Sequence, residues 1–413
     1  MISELASLWT SNGPDVWPDA PTEMTVTALA EIEACPRRWA LGVANYPALW
    51  AGRGYPPRVQ ANLLEGSVVH LALEAITKGF ARAGCPSVQD PTALRVLKEL
   101  GGYTKVVNNC IDQVIHRLAG SPRAKRALEF AARFLCERVP ALRMRVQTIL
   151  CRVRLPQVGD SYTHDQLSKT RSPLSLGLFP EIELRARQLS WKGRADFLVL
   201  SPGSCEIIDF KTGAQDDKHK FQIQVYALLW SRDNELNPGR RIANRLILAY
   251  SNGNVEVSAP TTNELDALES SIVARSESAR ESVSQHPPEA RPNPVHCKNC
   301  SVRQLCDEYW KADTQSRIAE KLRDNEFADL EVIISGRHGP SSWDAVVVCS
   351  SIVKRGQSIM VRADDPPFEL RVGQQLRLLS VHMSILDKQT IEEGQSTAIA
   401  TLGILSEAFI VLD

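Results

Sequence analysis

The sequence predicts an α/β protein whose sheet is flanked by helices and followed by a small all-β domain, and three observations lead there. Residues 193–213 alternate apolar and polar side chains on both sides of Ser201-Pro-Gly-Ser204, the pattern of a β-hairpin. The stretch 220–230 then has helical spacing, and 242–250 and 254–258 read as two further strands ahead of a helix over 262–286. From Asp329 onward, short apolar runs beginning near 329, 344, 358, 370, 398 and 408 give five or six strands, enough for a small barrel or sandwich.

A chain of 413 residues has length for about two to three domains. Lys plus Arg equals Asp plus Glu at 48 each, so a nucleic-acid partner would need a local basic groove and not a basic molecule. The first residues carry an early Glu4 and no basic leader, and no apolar run approaches membrane-spanning length. A cytoplasmic protein with no membrane partner is expected. The ten cysteines are unevenly spaced, which points to thiols or metal ligands over disulfides.

In the hairpin, Asp209 and Lys211 share one face of a strand while Phe210 points to the other layer. Asp196 on the partner strand can face the same volume, giving two hard oxygen ligands for Mg2+ or Mn2+ beside a cation. That layout suits metal-assisted phosphodiester hydrolysis; the plain alternative is an edge hairpin with a solvated ion pair. One turn apart on the following helix, Gln222 and Tyr226 face the same way. Gly193-x-x-Asp196, Ile207-Ile-Asp-Phe-Lys-Thr-Gly213 and Gln222-x-x-x-Tyr226 together resemble the PD-(D/E)XK nuclease core, in its RecB-like branch that includes AddB and CRISPR-associated exonucleases. The resemblance covers about residues 22–310. It implies a restriction-endonuclease-like core acting on DNA, with Asp196, Asp209, His70 and the Phe210 carbonyl as metal ligands. Lys211 would orient the attacking water, and Gln222 and Tyr226 would position the substrate strand or the site.

Taken in order, residues 1–22 read as an irregular arm rich in proline. Thr27 can cap a short helix that ends at Cys35 before Pro36. Cys35 is either a small buried thiol or, since Cys35-Pro-Arg-Arg resembles the segment, the N-terminal cysteine of RecB-like nucleases that carry a 4Fe-4S cluster. Residues 58–82 form a helix containing His70. A lone histidine there is commonly a core residue, yet Gly66-x-x-x-His70 is similar to the family segment whose histidine completes the metal site. From 90 to 150 the pattern is helical with breaks at Gly101-Gly102 and Gly120-Ser-Pro122, and it carries Arg117, Arg123, Lys125, Arg126, Arg133, Arg138, Arg143 and Arg145. These form a solvated face or, as the resemblance implies for a helical insertion over about 58–150, a wall of a DNA channel. A long loop over 152–176 leads to a strand with Glu181 and Glu183. The family places an acid just upstream of the Gly-x-x-Asp strand, and Glu183 is the preferred candidate.

After a proline-rich run, Cys297-x2-Cys300-x5-Cys306 sets three thiols so close that a metal is needed to hold them. Zinc is one occupant; the resemblance implies a 4Fe-4S cluster ligated with Cys35, clasping the two ends of a nuclease domain over 23–325. A polar helix over 313–324 precedes the β-domain, 329–413, for which an OB-like barrel is expected. That domain holds 7 Lys and Arg against 11 Asp and Glu, and its aromatics are Trp343, Phe368 and Phe409. Such a composition suits docking to a helicase or defence-complex protein, or packing on the nuclease, better than gripping DNA. No Gly-x4-Gly-Lys-Ser/Thr loop occurs, so any motor is another chain. The rival to a nuclease in DNA repair, recombination or defence is a catalytically silent DNA-binding scaffold.

Overall fold

The computed structural model describes residues 8–85, 87–152, 171–319, 327–385 and 398–412. Most of the loop expected over 152–176, and the later part of the helix expected over 313–324, lie outside them. The chain opens with α1 (Val26–Ala34) and α2 (Pro36–Val43). Helix α1 starts two residues earlier than a Thr27 cap would give, because the Thr25 side chain accepts the Ala28 N–H at 3.1 Å. Cys35 ends α1 and caps α2, its sulfur accepting the Arg38 N–H.

A helical layer follows: α3 (Ala61–Arg82), α4 (Pro91–Glu99), α5 (Gly102–Ala119), α6 (Leu128–Glu137) and α7 (Val139–Leu150). It covers one face of a five-stranded sheet made of β1 (Gly177–Ala186), β2 (Trp191–Ser201), β3 (Ser204–Lys211), β4 (Arg245–Tyr250) and β5 (Gly253–Val257) in that spatial order. All neighbours are antiparallel except β3 and β4, which are parallel and joined by the crossover helix α8 (Asp217–Arg232). Helices α8 and α9 (Thr262–Ser284) cover the opposite face. Strand β3 is buried on both faces, which explains its near-continuous apolar run. Ile208 and Phe210 pack with Val69, Leu73 and Ile76 of α3, whereas Cys205 and Ile207 pack with Ile223 and Leu228 of α8. The β2–β3 turn pairs Ser201 with Ser204 around Pro202 and Gly203, and Gly203 takes φ +78°, a backbone that L side chains rarely adopt.

After α10 (Pro294–Lys298) and α11 (Ala312–Ala319) come six strands: β6 (Phe327–Gly339), β7 (Ser342–Ser350), β8 (Ser358–Arg362), β9 (Gln375–Ile385), β10 (Ala398–Thr401) and β11 (Glu407–Ile410). Five close into a barrel in the order β6-β7-β8-β10-β9, with β9 returning to β6, β8 and β10 running parallel, and β11 added outside β9. The alternation of β7 puts Trp343, Ala345 and Val347 inside.

The barrel is fastened to the helical body by buried charge. Arg123, 3% exposed, donates two hydrogen bonds to Glu407, 5% exposed, at 2.6 and 2.8 Å, and a third to the Ser301 carbonyl; Arg58 adds a bond to Glu407 at 3.3 Å. Arg126 also turns to the barrel, bonding the Gly403 and Ser406 carbonyls. These two members of the basic run therefore serve the barrel and not a channel wall. Arg303, between two of the clustered cysteines, is fully enclosed and pairs with Asp329, which also accepts Tyr309 Oη at 2.6 Å and the Ser380 N–H at 2.7 Å. From the barrel side, Arg377 donates to Glu331 and to the Gln304 carbonyl, each at 2.8 Å. The N-terminal arm joins in: Trp9 packs on Phe409, and Thr10 bridges to Ile410.

Removing one partner of such a pair leaves a charge buried and unmatched. Arg123→Ala should lower stability by about 3–5 kcal/mol in urea titration, and Arg123→Met combined with Glu407→Leu should recover most of it. Burial alone would raise the Glu407 carboxyl; the Arg123 guanidinium and its hydrogen bonds overturn that and hold it below its ordinary value of 4.5. A depressed native value means that the contribution is complete above 4.5 and is lost as pH falls below it. Stability followed by urea titration should therefore fall as the medium is acidified through that range, and less steeply in Glu407→Gln.

Candidate active site

Neighbouring strands and the crossover helix set the site. Lys211, on the face of β3 turned to α8, stands against the Asp209 carboxylate and donates to Gln222 Oε1 at 2.6 Å. Gln222 Nε2 in turn donates to Tyr226 Oη at 2.6 Å, so one turn of α8 fixes the ammonium. Helix α8 reaches this close because Gly193 lacks a side chain: a Cβ there would stand 2.8 Å from the Tyr226 ring and 3.0 Å from Leu229. Across the sheet, a Cβ on Gly66 of α3 would meet Thr212 Oγ1 at 3.1 Å, so the helix carrying His70 lies directly against the end of β3.

Asp196 sits on β2 and accepts the Phe210 N–H at 2.5 Å. Burial, then the adjacent Asp209 carboxylate, hold its carboxyl well above the ordinary range. Burial holds His70 below its usual value, which keeps the imidazole neutral, the form that ligates metals. His70, Asp196, Glu181 and Glu74 line one open cleft of about 1210 Å³ together with Arg117, Arg138 and Arg145.

Glu183 does not enter this cleft. It pairs with Arg185 at 2.7 Å and lies near Arg171. The acid beside the carboxylates is Glu181, raised above its ordinary value by burial and then by Glu74 and Asp209. The cause is local: Glu181 takes φ 54° between Pro180, opposite Phe197, and Ile182, opposite Ala195, with the register unchanged on either side. The alternation of faces reverses across it, so Leu178 faces α3 while Ile182 and Leu184 face α8. Glu74, four residues after His70, could have been found from helical spacing. His219, whose Nδ1 lies 2.8 Å from Tyr250 Oη, borders Lys211 from the first turn of α8 and carried no sequence signal.

Among the described residues, no three His, Cys, Asp or Glu side chains converge on one ion. The donor set still suits a hard divalent cation. Asp209 Oδ2 is buried with the Lys211 ammonium as its close partner, while Asp196 is destabilised as a carboxylate by burial and then by Asp209.

The four cysteines also come together. Cys300 and Cys35 both raise the Cys306 thiol, which burial in the main pushes up to about 12, and Cys297 acts likewise on Cys300 beneath the larger effect of burial. Each sulfur faces a backbone donor: Arg38 and Arg291 for Cys35, both at 3.4 Å, Asn293 for Cys297 at 3.3 Å, Val302 for Cys300 and Tyr309 for Cys306. Every cysteine among the described residues is a free thiol, and no helix there is long and apolar enough to cross a membrane.

No curated protein matches the chain. Among solved structures, the crystal structure of SSO0001 matches 31% of this chain and 59% of that one at 22% identity, with a TM-score of 0.20, a likeness too slight to carry an argument. The model of the PD-(D/E)XK nuclease superfamily matches residues 23–307, a span that contains the whole five-stranded sheet, both covering helical layers and all four clustered cysteines. The chain belongs to the PD-(D/E)XK nuclease superfamily.

Proposed function

We propose that this protein is a Mg2+- or Mn2+-dependent deoxyribonuclease of the RecB-like kind that attacks DNA from an end. The observation that carries the reading is the shared wall of Asp209 and Lys211, with the ammonium held by Gln222 and Tyr226. A bound divalent ion would supply Lewis-acid charge and a water acidic enough to attack at neutral pH. Asp196, Asp209 and His70 would hold it, with the Phe210 carbonyl. Lys211 orients the attacking water and balances the charge that gathers on the phosphoryl oxygens as the new P–O bond forms and the leaving strand departs. Gln222 fixes the ammonium for that task and Tyr226 fixes Gln222. Glu181 is the further acid of the site, the one of the two upstream glutamates that the resemblance allows and that lines the cleft.

Cys35, Cys297, Cys300 and Cys306 suit a 4Fe-4S cluster better than zinc. They neighbour one another, each faces a backbone N–H of the kind that tunes cluster thiolates, and Cys35 stands far from the other three in sequence, unlike the paired knuckles of a zinc ribbon. The β6-β7-β8-β10-β9 order, with β8 parallel to β10, supports an OB-like barrel. Repair, recombination or defence against foreign DNA, alongside a helicase or defence-complex chain, is the setting that the resemblance suggests. The contrary reading, a silent scaffold, is disfavoured by the intact set Asp196, Asp209, Lys211, Gln222 and Tyr226.

Protein incubated with Mg2+ or Mn2+ should shorten end-labelled DNA and spare closed circles. Lys211→Ala and Asp209→Asn should each abolish this while circular dichroism stays unchanged; full activity in Lys211→Ala would reject the site. Protein purified without oxygen should be brown and hold iron and sulfide, and Cys300→Ala should lose both and melt earlier, whereas zinc without iron on elemental analysis would exclude the cluster.

A further inference from the structure

The cleft that leads to Asp196 has a second wall whose chemistry the hydrolytic site does not use. On α6, Phe130 and Phe134 stand four residues apart with ring centroids 6.1 Å apart and planes 20° from parallel. Four residues on again, the Arg138 guanidinium lies 5.0 Å above the Phe134 ring. Three flat groups are thus stacked along one face of the helix, and Phe134 and Arg138 line the cleft. The Arg138 side chain is 51% exposed, so its outer face is open to a ligand.

Charge at this wall is arranged in the same sense. Arg138 and Arg145 share one counter-ion, Glu65 of α3, at 3.4 and 2.9 Å, and Glu65 precedes Gly66, the residue that lets α3 touch the end of β3. Arg117 lines the cleft as well. A guanidinium pair held by one carboxylate is oriented before a phosphate arrives, and a phosphate group can take the place of that carboxylate as bidentate partner. Arginine here does what lysine would not, since its plane can stack while its edge bonds.

We propose that Phe130, Phe134 and Arg138 form a stacking ladder for an unpaired base, with Arg138 and Arg145 gripping the adjacent phosphate, so that the substrate delivered to the carboxylates is a single DNA strand. A base stacked on the outer face of Arg138 extends the ladder by one flat group. Paired bases inside a duplex cannot do so, because both their faces are already covered by neighbours and only the terminal pair leaves one open. The direction of travel toward Asp196 rests on the nuclease reading above, but the ladder itself is tested by binding alone.

The experiment compares three probes of equal length without divalent metal: a base-bearing single strand, the same strand with abasic sites in place of its bases, and a duplex. Wild-type protein should bind the base-bearing strand about tenfold more tightly than the abasic strand, ~1.4 kcal/mol, and more tightly than the duplex. Arg138→Lys keeps the charge and loses the plane, so it should lose the preference for bases while its salt dependence stays as in wild type. Arg138→Ala should lose the preference and also flatten the salt slope by about 0.7, the value for one phosphate contact on a single strand. Phe134→Leu, which keeps the apolar bulk, should reduce the preference in the same way. Equal affinity of wild type for base-bearing and abasic strands, tighter binding of the duplex, or an unchanged preference in Arg138→Lys would overturn the ladder. If the preference is present but Mg2+ or Mn2+ brings no cleavage, the ladder stands and the nuclease reading fails; cleavage without the preference removes the ladder alone.

Discussion

Two carboxylates in one water-poor site set the terms for the rest of this molecule. Asp196 and Asp209 come from adjacent strands with helices on both faces of the sheet, so their repulsion is poorly screened by water. Relief requires a cation. Lys211 supplies part of it from the same strand, and Asp196, still held well above the ordinary carboxylate range by burial and Asp209, is where more is wanted. The glycines at 193 and 66 make the burial possible, each by letting a helix approach the sheet where a methyl group would intrude. The fold builds an unfavourable charge arrangement on two interior strands of its sheet and leaves the nearby cleft open.

Much of that was legible because it obeys short periods. The i, i+2 rule put Asp209 and Lys211 on one face and Phe210 on the other, and Pro202-Gly203 announced the turn that brings β2 against β3. The i, i+4 rule linked Gln222 to Tyr226. Glu183 lies away from the cleft where the period itself fails. A glutamate at φ 54° has no signature in composition, and one such residue in β1 exchanges inside for outside downstream of it. The start of α1 shows a smaller version of this, since Thr25 and Thr27 are equally good caps on paper and only the backbone chooses.

Charge counting misled in another way. Arg123 was read with its basic neighbours as part of a solvated or DNA-facing surface, yet its partner is a glutamate 284 positions away, beyond the reach of any local rule. The barrel's acidic balance has the same explanation in part. Asp329, Glu331 and Glu407 are buried counter-ions for Arg303, Arg377 and Arg123, so they say little about the field the barrel shows to a ligand. A tally of formal charge describes a surface only after the internal pairs have been removed from it.

The pairing of Arg123 with Glu407 also bears on how the chain is made. At about 5–20 residues per second, the 284 positions between them correspond to roughly 15–60 s of synthesis. Throughout that interval the guanidinium must remain hydrated, and the α5–α6 corner has no carboxylate to close on. Arg303, between Cys300 and Cys306, waits a shorter time for Asp329. The seam between the helical layer and the barrel can therefore close only after Glu407 of β11 has been made.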